Sequence, residues 1–151
     1  MRNRWSALVG VVLTLVLMPR VGAAQAQQAG PRKAGSLEQN YPNPFNPHAW
    51  MPFTVGEDYP ACADRGRQYR VTLRVLNVLA QRVATPQLEG SSGGVAGGQR
   101  LENVLLSCGR YIGFWDGKLV NTSREAPSGI YLWVLEVDGR QAGVKKSILV
   151  K

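Results

Sequence analysis

The sequence predicts an all-β protein, an antiparallel β-sandwich of about seven strands preceded by a signal peptide. Three observations carry this. Tyr69, Val71, Leu73 and Val75 alternate with Arg70, Thr72 and Arg74, the period-two pattern of a strand with one buried and one wet face. Short apolar runs are separated by turn dipeptides, Asp116–Gly117 and Asp138–Gly139 among them. After residue 26 no stretch offers a helix candidate.

Residues 1–26 read as a secretory signal peptide. Arg2 and Arg4 form a basic n-region, residues 7–18 (ALVGVVLTLVLM) an apolar run, and Pro19 ends it. Small residues at Ala24 and Ala26 suit a signal peptidase, so cleavage is expected after Ala26, with Ala23 as the alternative. The apolar run is shorter than the roughly 20 residues a helix needs to cross a bilayer. No cysteine follows it to accept a lipid. Export across the inner membrane without a transmembrane anchor is therefore expected, to periplasm, cell surface or medium; an uncleaved anchor is the other reading. Residues 27–36 (QQAGPRKAGS) lack apolar periodicity and read as a flexible leader, which leaves 37–151 as the domain.

The elements follow in order. Residues 40–47 (NYPNPFNP) hold three prolines and two aromatics and read as the first edge of the domain. The prolines fix φ and reduce the entropy lost on ordering. Asn43 and Asn46 can bond local backbone, and Tyr41 and Phe45 can pin the segment to the sandwich. Residues 50–55 (WMPFTV) read as a short strand in which Pro52 marks an edge or a bend. Residues 56–68 are a loop by composition, 69–79 the clearest strand, and 81–86 a further short one ended by Pro86. The stretch 89–100 carries five glycines and reads as a flexible loop; no lysine and helix follow GGVAGG, as a nucleotide-binding loop would need. Strands are expected in LENVLLS and RYIGFW, and a hairpin over 128–151 with a two-residue turn at Asp138–Gly139. Its first strand places Tyr131, Trp133, Leu135 and Val137 on one face and Ile130, Leu132 and Val134 on the other. Apolar residues on both faces suit a central strand or a face covered by a partner, and core is expected for Leu132 and Val134.

Charge and cysteine usage narrow the function classes. Removing Arg2, Arg4 and Arg20 with the signal lowers the net charge from +8 to +5, and all ten acidic residues lie downstream. The remaining signs are interspersed, so the clustered basic face of a nucleic-acid binder is not expected. Cys62 and Cys108 are the two cysteines, and in an exported protein a disulfide is the default, with two separate thiols as the alternative. No metal or other cofactor is expected, because His48 is the sole histidine and no ligand cluster surrounds the cysteines.

Several segments, in one order, resemble a known family. Residues 37–47 (LEQNYPNPFNP) resemble the opening of the immunoglobulin-like C-terminal sorting domains of bacterial type IX secretion cargo, to which the immunoglobulin-like domain of flagellar hook-capping proteins is similar. VTLRVLNVLAQRVAT, GRYIGFWDGK, APSGIYLWVLEVDG and the terminal KKSILVK resemble that family's successive strands. Ala80 stands where the pattern has glycine and Tyr111 where it has histidine, while the segments with Cys62, Cys108 and the glycines look like insertions. The resemblance spans 37–151 and implies an immunoglobulin-like sandwich recognised by a protein partner, either the export machinery or a surface assembly. It also implies that the final basic strand, with Lys145, Lys146 and Lys151, belongs to the sorting determinant. Those lysines would equally guard an edge strand against pairing.

The marked residues read as structural. Trp115 and Tyr131 are expected in the core, Asp116–Gly117 at a turn, and Gly129 where the chain enters its strand. Pro42, Pro44 and Pro47 shape the opening segment. No paired carboxylates and no serine–histidine–aspartate set can be assembled, so the chain is expected not to be an enzyme and to take no small-molecule substrate. A free-standing adhesive or structural module, pairing through its edge strands, is the second functional reading.

Overall fold

A computed structural model of the chain describes residues 33–91 and 94–151. The expected signal peptide and most of the expected leader lie outside them. Among the described residues there are nine strands and no helix. They are β1 (Gly35–Leu37), β2 (Ala49–Val55), β3 (Gln68–Leu76), β4 (Arg82–Ala84), β5 (Gln87–Leu88), β6 (Val104–Ser107), β7 (Gly109–Trp115), β8 (Gly129–Val137) and β9 (Arg140–Leu149). The seven runs expected from the sequence are joined by two short strands, β1 and β5.

The strands form two antiparallel sheets, a β-sandwich. One has the order β1-β2-β7-β5 and will be called the front sheet; the other, the back sheet, has the order β4-β3-β8-β9. β6 lies on the same edge of β3 as β4, since Val71 faces Val104 on one side and Val137 on the other. The inner faces follow the alternation read from sequence. Tyr69, Val71, Leu73 and Val75 of β3 and Tyr131, Trp133, Leu135 and Val137 of β8 are all buried. They meet Met51, Phe53 and Val55 of β2 and Tyr111 and Trp115 of β7. At Gly113 the sheets approach so closely that a Cβ would lie 2.5 Å from Leu73 Cδ2. The β8–β9 hairpin turns at Asp138 (φ 51) and Gly139 (φ 75), the two positive φ values that a two-residue turn of this twist needs.

Four expectations change. β1 begins at Gly35, inside the stretch read as leader, and Ala34 O accepts the Gly56 N–H at 2.9 Å; three residues are too few to show a period. Pro52 does not mark an edge: β2 lies between β1 and β7. In an antiparallel strand the N–H and C=O of a residue point to the same side. Pro52 O accepts the Glu38 N–H at 3.0 Å, so the missing N–H also faces that side, just past the end of β1, and the ladder to β7 loses nothing. The ends of the glycine-rich loop are held rather than free, with Leu88 donating to Gln99 O and Gly98 to Leu88 O. Finally, of the ambiguous pair on β8, Val134 is buried and Leu132 only half-buried.

Residues 40–47 cross from one sheet to the other. Tyr41 exchanges two backbone hydrogen bonds with Trp50 of β2, at 2.9 and 3.0 Å. Four residues later Phe45 pairs in parallel with Leu149 of β9, donating to Ile148 O and accepting from Val150. The Asn43 side chain accepts the Ile148 N–H at 3.0 Å and Gln39 donates to Lys146 O at 3.1 Å. The outer edge of β9 near its end is thereby closed, which answers the edge-strand problem locally. Phe45 is 1% exposed and enters the core, whereas Tyr41 is 48% exposed. Tyr41 thus fixes the segment through its backbone and lies on the outer face, not in the core.

Candidate functional site

The front sheet carries one row of side chains that the register places directly opposite one another. Tyr41 is opposite Trp50, Trp50 opposite Phe114, Phe114 opposite Gln87, and Gln87 opposite Arg100. Opposed residues point to the same face. Their neighbours in sequence, Ala49, Met51, Trp115 and Leu88, are buried, so the row is on the outside. Five chains at about 4.8 Å spacing make a row roughly 19 Å long.

One end of the row is aromatic. The Tyr41 and Trp50 rings lie 6.0 Å apart and nearly parallel, at 12°. Trp50 and Phe114 are 5.4 Å apart, and the exposed His48 ring sits 5.5 Å from Phe114 and 6.4 Å from Trp50. The other end is polar and opens into a cavity of about 400 Å³, whose walls include Gln87, Arg100, Phe114, Asp116, Lys118 and Thr122. The far wall is the loop after β7. Ala126 donates to Gly117 O at 2.7 Å and Leu119 to Arg124 O at 2.9 Å, which fixes its shape. Gly117 is required at its start: φ is +77°, and a Cβ would lie 2.7 Å from Pro47.

Charge is unevenly satisfied across this face. Arg110 donates from two nitrogens to the Glu38 carboxylate, at 2.9 and 2.8 Å. Those hydrogen bonds and the guanidinium charge hold Glu38 below the ordinary carboxylate range. Lys118 Nζ stands 3.7 Å from Asp116. Arg100 has no carboxylate at ion-pair distance among the described residues. A second cavity, of about 490 Å³, lies by Lys33, Glu57, Arg67 and Asp138. There Arg67 is matched by Glu57 at 3.3 Å and Asp138 at 3.9 Å.

The residues singled out in the sequence fall in different places. Cys62 and Cys108 form a disulfide, with Cα atoms 5.5 Å apart. Trp115 is 2% exposed, donates its indole N–H to Lys118 O at 2.8 Å, and packs on Phe45, Tyr131 and Trp133. Asp116 accepts the Lys118 N–H in a local turn. Tyr131 donates to Pro127 O at 2.7 Å, and burial pushes its phenol above the usual range. Pro42 and Pro44 are exposed, and Pro47 is half-buried against Gly117. Gly129 opens β8 in open space without a positive φ, so nothing around it requires glycine. Lys146 is exposed on the outer face of the back sheet, opposite Leu132. Lys145 is half-buried opposite Trp133, and Lys151 is tied to Glu125 at 3.0 Å and by its N–H to Ser128 Oγ. Trp50, Phe114, Gln87 and Arg100 were not singled out. Trp50 and Phe114 carried a signal all the same, being aromatics at strand positions whose parity is outward.

No family profile matches the chain, and no curated protein matches it. Among solved structures, the Pseudomonas fluorescens alkylpurine DNA glycosylase AlkC bound to DNA containing an abasic site analog is similar over 82% of this chain, at 14% identity and a TM-score of 0.47. The matched part spans 32% of that protein. That neighbour is an enzyme, and on that finding the expectation that this chain is not one is withdrawn. A likeness at that TM-score carries no argument for base excision or DNA binding here.

Proposed function

We propose that the chain is an exported immunoglobulin-like module recognised by a protein partner through its terminal strand β9, as in the sorting domains that its sequence resembles. The disulfide supports an oxidising compartment. The observation that carries the reading is the display of Lys146. It is exposed on the outer face of β9, between Val144 and Ile148 and opposite Leu132. Val144 and Ile130 on the same face are 42% and 45% exposed. A cation set among exposed aliphatic side chains suits a protein partner that buries the stems and pairs the charge.

The test is fractionation of cells producing the full chain with Lys146→Glu. Retention in the periplasm is expected, and release at the wild-type level would overturn the reading. Deleting residues 145–151 is a poor substitute. It removes the buried Leu149, the Ser147 hydroxyl that accepts the Trp133 indole N–H, and the backbone partners of Phe45.

The second reading, a structural, adhesive or hook-capping-like assembly module without a sorting role, is favoured by the aromatic row on the opposite sheet. It predicts that Lys146→Glu leaves export unchanged while Tyr41→Ala weakens surface retention.

A further inference from the structure

We propose that the row Tyr41–Trp50–Phe114–Gln87–Arg100 and the adjoining cavity bind an acidic polysaccharide, with sugar rings over the aromatic end and a carboxylate held by Arg100. This goes beyond the role of β9, because the row lies on the other sheet.

The shape of the site argues for a chain of rings. A row of roughly 19 Å exceeds the length of a single small ligand. Its aromatic half offers ring surface whose only requirement is a flat or apolar face, and the C–H face of a pyranose supplies one. The polar half offers the Gln87 and Asn121 amides and the Ser123 hydroxyl, all of them lining the cavity. These groups can donate or accept, as the hydroxyls around a sugar ring require.

The charge argues for an acid. Two cations and one carboxylate, Arg100, Lys118 and Asp116, border the cavity, which leaves one positive charge in excess. Lys118 is near Asp116 and Arg110 is occupied by Glu38, whereas Arg100, the arginine of the cavity lining, has no carboxylate at ion-pair distance among the described residues. Its planar fork matches a carboxylate with two parallel hydrogen bonds. An extended proline-rich peptide would also use the aromatic half, but it brings few donors for the cavity and no side-chain carboxylate for Arg100.

Calorimetric titration of the disulfide-intact protein tests this. The probes are oligomers of galacturonate, of guluronate–mannuronate and of glucuronate–N-acetylglucosamine, with a cello-oligosaccharide and a proline-rich peptide as the uncharged and peptide arms. At least one uronate oligomer is expected to bind saturably and to weaken with added salt. Arg100→Gln and Tyr41→Ala, both at exposed positions, are each expected to lower its affinity at least tenfold with the unfolding midpoint unchanged. Failure of all three uronates to bind, binding indifferent to both substitutions, or tighter binding of the neutral sugar or the peptide would overturn the proposal.

Discussion

Phe45 and Trp115 pack with ring centroids 5.6 Å apart and planes tilted by 55°, which joins the proline-rich segment to the middle of the core. Trp115 in turn lies 5.2 Å from Tyr131 and 6.1 Å from Trp133, both on the facing sheet. The aromatic chain therefore ties the crossing segment, the front sheet and the back sheet together. Phe45→Ala should destabilise the protein by about 3–5 kcal/mol, as removal of a buried phenylalanine does. Tyr41→Ala, on the outer face, should change stability by less than about 1 kcal/mol. Denaturant unfolding of both variants checks the contrast.

Ala80 sits at φ +59° in the turn after β3, where Asn77 and Gln81 close the chain. A left-handed conformation strains a residue with a Cβ by about 1–2 kcal/mol, and glycine escapes it at some cost in unfolded-state entropy. Ala80→Gly should raise stability by up to about 1 kcal/mol, read as a higher unfolding midpoint at constant denaturant slope.

The disulfide closes a loop with a sequence separation of 46 residues. In the chain-entropy model such a loop is worth about 4 kcal/mol, so reduction should lower the unfolding midpoint markedly. Gly56 leans on this bridge: φ is +115°, and a Cβ would come 2.4 Å from Cys108 Sγ. Gly56→Ala should therefore destabilise the oxidised protein more than the reduced one, measured by unfolding each form with and without the substitution.

Acid should act in part through Glu38. Its folded pKa is lowered by the hydrogen bonds from Arg110 first and by that guanidinium's charge second. A lowered carboxylate contributes stability above its unfolded pKa and loses it as pH falls through the folded value. Glu38→Gln should thus flatten the stability–pH curve below the ordinary glutamate range. The change should be small and should shrink with salt, because both side chains are more than a third exposed.

The alternation in β3 and β8 and the turn at Asp138–Gly139 were readable because a half-buried strand and a two-residue turn each impose a local pattern. β1 and β5 were not readable, being three and two residues long and held by partners far along the chain. The same reason hid the row on the front sheet. Residues 41, 50, 114, 87 and 100 become neighbours only through register, which no local window contains. Parity alone could have marked Trp50 and Phe114 as outward aromatics. Nothing local distinguishes Arg100 from the other arginines, since what sets it apart is its place at the end of the row, beside the cavity.

That residues 40–47 are a structural part of the sandwich is tested most directly by native-state hydrogen exchange at the amides of Tyr41, Phe45 and Val150. Each donates to a backbone carbonyl, of Trp50, Ile148 and Phe45 respectively. Protection comparable to that of the β8 amides is expected. Exchange of these three at the rate of an unstructured chain, while β8 stays protected, would contradict it.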